Sequence, residues 1–190
     1  MSQNLRHYTT AVFGLEHVIR LVPDEAWESP SPCDEWTARE VAGHAMGVIS
    51  NVAARAGVGD PIDVFANVGL IAGDDPAARF RQIRDRYLDA MDHPGAIQTV
   101  IQSSLGEMPM DAFLFNMTAD TLIHSWDLAR AAGVDSTLDP GLVAVVHASL
   151  IERDSPALRA PGRYGAALTG AKGVNAQDEL IAFTGRNPRW

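Results

Sequence analysis

DAFLFNMTADTLIHSWDLARAAG, residues 111–133, reads as one long helix carrying a polar stripe. Asn116, Asp120, His124 and Asp127 recur at steps of four, four and three, so they fall on one face and point the same way. A carboxylate and an imidazole one turn apart are two parts of a helical metal site, completed when a neighbouring helix adds a third ligand. Most other sides of the helix are apolar, with Phe113, Leu114, Phe115, Met117, Leu122, Ile123, Trp126 and Leu128. Such a helix is predicted to be buried, and buried polar groups need partners or an ion.

Upstream, Thr37 begins a T-x-x-E capping box with Glu40 and starts a second helix over residues 37–56. Val41, His44 and Val48 share one face of it, which aims His44 at the core with Asn51 just beyond. A lone histidine on an apolar face is more often a satisfied core residue than a ligand. A second helix presenting Asp120 and His124 changes that balance, because three ligands from two packed helices make an open metal site.

The remaining pattern is also helical. Leu5, Val12, Leu15, Val18, Ile19 and Val22 lie close to helical spacing before Pro23 stops the run. Phe80, Ile83, Tyr87, Leu88 and Met91 form the apolar side of a helix over residues 76–91, opposite arginines that alternate with Asp85 and Asp89. Asp139-Pro140 opens a helix bearing Leu142, Val143, Val146, Leu150 and Ile151, and residues 176–183 suit a short one. Between these lie a loop over residues 57–76 with one short turn, a β-prone run within 99–105, residues 106–109 leading into the central helix, and a glycine-bearing tail. His7, His17 and His147 read as structural. The predicted class is all-α, with a helical domain over residues 1–152 and an extension over 153–190 packed on it.

The 190 residues are 46% hydrophobic and 21% charged, enough for a substantial core without low-complexity tracts. A formal charge of −9 argues against nucleic acid or an acidic membrane as partner, since both are bound by basic patches. The one cysteine, Cys33, rules out an internal disulfide and any multi-cysteine zinc site, and reads as structural or incidental. With no signal-type opening and no apolar run of bilayer length, a soluble cytoplasmic protein is expected.

Two phrases carry a resemblance: CDEWTAREVAGH at residues 33–44 and DTLIHSWDLARA at residues 120–131. They resemble signature segments of the metal-binding domain of mycothiol-dependent maleylpyruvate isomerase, within the DinB-like superfamily, and the chain looks like a small stand-alone member. The approach at 106–109 and the closing Gly-Arg-Asn-Pro phrase are also similar. The resemblance implies a four-helix bundle with a long crossover, pairing into a homodimer, and a divalent zinc or nickel ion held by His44, Asp120 and His124. Where the isomerase supplies glutamate and other DinB-like proteins supply histidine, this chain has the shorter Asp120. It also lacks the length for the isomerase's further C-terminal domain in full.

The chemistry so implied is activation of a low-molecular-weight thiol of the mycothiol type toward an electrophilic substrate, as in S-transfer or isomerisation. Three protein ligands leave the open position this needs. Asp127 suits orientation of a ligand or pairing with Arg130, while Asn51 and Asn116 suit the pocket lining. Two other readings stay open: a non-enzymatic metal or small-molecule binding bundle of a stress response, and a metal-free buried network of His44, Asp120 and His124.

Overall fold

The computed structural model describes residues 1–33, 36–103, 106–160, 162–169 and 175–190. Asp34 and Glu35 of the first signature phrase, Leu105 at the end of the stretch that holds the β-prone run, and Gly170 and Gly173 of the tail lie outside them. The class is all-α, with one short two-stranded sheet. Its elements are α1 (Gln3–Leu21), α2 (Ala38–Arg55), α3 (Val68–Ala72), α4 (Pro76–Asp92), β1 (Val100–Ser103), β2 (Gly106–Pro109), α5 (Met110–Ala132), α6 (Pro140–Glu152) and α7 (Ala176–Phe183). They fall into two compact units, Met1–Asp135 and Ser136–Trp190.

In the first unit the main helix contacts run from α1 to α5, α5 to α2, α2 to α4 and α4 back to α1. Consecutive helices α1 and α2 therefore sit across the ring, while α2 and α5, far apart in sequence, become neighbours. Leu15, Ile19, Met46, Ile49, Phe80, Ile83, Met110 and Leu114 fill the space between them. Tyr8 meets Tyr87 edge-on at 5.3 Å, and the Tyr87 hydroxyl bonds Thr9 across 2.8 Å. Burial, then the neighbouring Tyr87, drives the Tyr8 phenol well above its usual range, and burial pushes Tyr87 up to about 12. Arg84 of α4 pairs with the buried Glu16 of α1, and Asn4 of α1 donates to Asp111 of α5 across 3.0 Å.

Local signals account for the helix ends. Thr37 accepts from the Glu40 amide while Glu40 accepts from the Thr37 amide at 2.8 Å, closing the expected capping box. Asp75 and Asp139 cap α4 and α6, each ahead of a first-turn proline. Gly133 takes the left-handed conformation (φ 66°) that ends α5.

Residues 106–109, expected only to lead into the central helix, form β2, paired antiparallel with β1 from Val100 opposite Pro109 to Ser103 opposite Gly106. Nothing in GEMP favours a strand by propensity. Pairing with β1 supplies the order.

In the second unit α6 packs against α7. Leu142, Val143, Val146 and Leu150 of α6 and Leu180 and Ile181 of α7 are buried. The Gln177 side chain accepts from the Leu138 amide at 2.8 Å and donates to the Ser136 carbonyl at 3.0 Å, fastening the start of the unit to α7.

Candidate metal centre

The centre lies where α2 and α5 face each other. On α2, the fully buried stretch around His44 is studded with small residues, and two of them shape the site. A Cβ on Gly43 would stand 1.9 Å from the Val68 carbonyl oxygen, and one on Gly47 2.9 Å from a Val64 methyl. Both glycines thus let residues 64–72 press onto the helix. That approach brings the Val64 carbonyl to 2.7 Å from His44 Nδ1. A carbonyl only accepts, so Nδ1 carries the proton and Nε2 keeps its lone pair for the interior.

On α5, His124 Nδ1 lies 3.0 Å from Asp127 Oδ2, one turn along, and Asp127 is 0% exposed. This contact fixes the second imidazole as Val64 fixes the first. Both Nε2 atoms then look at the same oxygen: Asp120 Oδ1 is 3.8 Å from His44 Nε2 and 3.8 Å from His124 Nε2. One ligand atom from each of His44, Asp120 and His124 falls within 4.8 Å of the other two. With bonds of about 2.1 Å and tetrahedral angles, two ligand atoms stand about 3.4 Å apart. Shifts of a few tenths of an ångström would bring each carboxylate-imidazole pair to that spacing, and two nitrogens with one oxygen suit a borderline divalent cation. The residues present fit an ion.

Electrostatics run the same way. Burial pulls the His44 imidazolium down, but the Asp120 hydrogen bond and charge, the Val64 carbonyl and Asp127 outweigh it, leaving the pKa raised above 6.5. The pocket has gathered negative potential around its imidazoles. A cation or a proton satisfies it.

The sequence pattern of the family described as mycothiol maleylpyruvate isomerase N-terminal domain matches residues 11–129. The chain belongs to that family. Two uncharacterised proteins of Mycobacterium tuberculosis, from strains CDC 1551 / Oshkosh and ATCC 25618 / H37Rv, are each 32% identical over 162 residues, spanning 84% of this chain and 85% of the relative. The crystal structure of a histidine-to-alanine mutant of the mycothiol-dependent maleylpyruvate isomerase superposes with a TM-score of 0.54 at 15% identity, covering 78% of this chain and 68% of that one.

In this isomerase-domain chain the structure brings His44, Asp120, His124 and Asp127 together. Asn51 and Arg130, singled out with them, meet other groups. Asn51 uses both ends of its amide on Ile62, donating to the carbonyl at 2.8 Å and accepting from the amide at 2.6 Å, and so clamps the loop after α2. Arg130 lies over Trp126, 5.8 Å from the ring centre. Asn116 is a partly exposed residue of α5.

Three residues beside the centre were not legible as such. Trp36 sets its ring 4.7 Å from that of His44 and 5.9 Å from that of His124. Phe65 is 66% exposed yet 5.5 Å from the His44 ring. Cys33 groups with His124 and Asp127. All three come from irregular segments, where no periodicity announces which way a side chain points.

Proposed function

We propose that this chain is a divalent-metal protein, holding zinc or nickel through His44, Asp120 and His124, that activates a low-molecular-weight thiol of the mycothiol type toward an electrophile. The observation that carries the reading is the convergence of two oriented Nε2 lone pairs and one carboxylate oxygen, from adjacent helices, with a protein ligand set of three. When bound, the ion supplies Lewis acidity that lowers the pKa of the incoming thiol and leaves it nucleophilic at neutral pH.

The chain's own residues do the rest. Val64 and Asp127 hold the imidazole rings so that they need not reorganise when the ion is loaded. Asp120, with 27% of its side chain exposed, stands at the open side. Trp36 and Phe65 set aromatic surface beside the His44 ring, which gives an apolar, planar electrophile a place to rest. Family membership supports the thiol as the partner, while the reaction, S-transfer or isomerisation, is part of the proposal.

Elemental analysis of untagged protein, purified without chelator, tests the assignment. About one zinc or nickel per chain is expected from the set of His44, Asp120 and His124, lost in His124→Ala and in Asp120→Ala. Thiol-dependent consumption of an electrophile by the loaded wild type then completes the case. Metal without such turnover would make the protein a metal-binding bundle, and no metal after reconstitution would overturn the ligand set.

A further inference from the structure

His124 is flanked on both ring nitrogens. Nε2 faces Asp120 and the His44 centre, whereas Nδ1 faces Asp127, and Cys33 belongs to the same neighbourhood: ligand atoms of Cys33, His124 and Asp127 all lie within 4.8 Å of one another. We infer that these three residues form a second cation position, of mixed sulfur, nitrogen and oxygen character, that takes a thiophilic cation as an alternative to the ion of the His44 centre.

The sulfur is placed by its backbone. The Cys33 amide donates to Ser31 Oγ at 3.1 Å, and the Cys33 carbonyl accepts from Ser31 Oγ and from the Trp36 amide, both at 3.1 Å. Cys33 is half-buried, so an ion has a way in, while His124 and Asp127 are buried and already oriented by their 3.0 Å contact. A thiolate bond of about 2.3 Å and nitrogen and oxygen bonds of about 2.0–2.2 Å span a cluster of this size after a side-chain rotation. Soft thiolate selects for thiophilic ions, whereas the two nitrogens and one oxygen of the His44 set suit borderline ones.

Binding is ligand exchange without electron transfer. The Cys33 thiol releases its proton to solvent, and the single proton of the neutral His124 ring shifts from Nδ1 to Nε2, so that the ion takes Sγ and Nδ1. The one ring proton sits on Nδ1 when Nε2 serves the His44 centre and on Nε2 when Nδ1 holds the second ion, so filling both positions at once would require an imidazolate ring. The two positions therefore compete.

Titration of the metal-free full chain with cadmium, followed by thiolate-to-metal charge-transfer absorbance, tests this. The band should saturate at one ion per chain and vanish in Cys33→Ser. Its midpoint should weaken by about tenfold or more in His124→Gln and in Asp127→Asn, yet stay unchanged in His44→Ala. A band as strong in His124→Gln and Asp127→Asn as in wild type would mean a solitary thiol and overturn the proposal. Equal weakening by His44→Ala would assign Cys33 to the His44 centre and overturn it too. If the Asp127 or His124 variants fail to fold, cadmium NMR of nitrogen-labelled wild type decides: coupling to His124 Nδ1 at a one-sulfur shift supports the position, and coupling to His44 overturns it. Because His44→Ala removes the zinc or nickel centre and spares this one, the two assignments fail separately.

Discussion

Asp127 is a buried carboxylate with an imidazole 3.0 Å away, and its value lies in what it does to His124. Asp127→Asn keeps the shape and removes the charge that favours the Nδ1 proton. Zinc affinity, measured by competition with a chelator, should fall by about 10–100-fold. An unchanged affinity would reduce Asp127 to packing. His44 sets the pH dependence. Its folded pKa is raised above the unfolded 6.5, so in the metal-free protein it adds stability that is present below 6.5 and lost as pH rises through the folded value. The ion needs the deprotonated ring, so metal affinity runs the opposite way. It should be greatest above the folded pKa of His44 and decline as pH falls through it, with proton release on binding detectable by buffer-dependent calorimetry.

Within the helices, glycine has opposite meanings at two positions. Gly14 of α1 has nothing within 4 Å of an added Cβ, so Gly14→Ala should stabilise by about 0.5–1 kcal/mol through helix propensity alone. Gly43 of α2 faces the Val68 carbonyl, and there Gly43→Ala should destabilise by about 1–3 kcal/mol in denaturant unfolding because the neighbour is backbone and must move. The same change should weaken metal binding, since it pushes the Val64 segment away from His44 Nδ1. Equal stabilisation by the two alanines would refute the close packing of residues 64–72 on α2.

For the whole molecule, an ion that binds the folded chain and not the unfolded one stabilises by mass action. At a free zinc concentration about a hundred times Kd the gain is about 2.7 kcal/mol. Thermal unfolding should then shift upward by roughly 5–10 °C in wild type. His44→Ala, Asp120→Ala and His124→Ala should each lose that shift. A shift surviving in all three would place the stabilising ion elsewhere. Among the described residues no helix is long and apolar enough to cross a membrane.

Periodicity and capping are local, and they were readable in the chain. The T-x-x-E box at Thr37, the prolines opening α4 and α6, and the apolar spacing of α1 and α5 marked helices within a residue or two of where they lie. The i, i+4 and i+3 steps likewise put Asp120, His124 and Asp127 on one face, because helix geometry alone dictates it. No local rule reaches the remainder. Pairing of β2 with β1, the ring order that makes α2 and α5 neighbours, and the arrival of Val64, Phe65, Trp36 and Cys33 around the two imidazoles depend on contacts between segments distant in sequence or lacking any repeat. The same holds for Asn51, whose amide has the chemistry of a pocket residue but is taken up by the backbone of Ile62. Local sequence thus determined the helices and which side chains share a face. Tertiary packing alone decided which faces meet and which nitrogen of each histidine turns inward, because that choice belongs to the partner each ring finds.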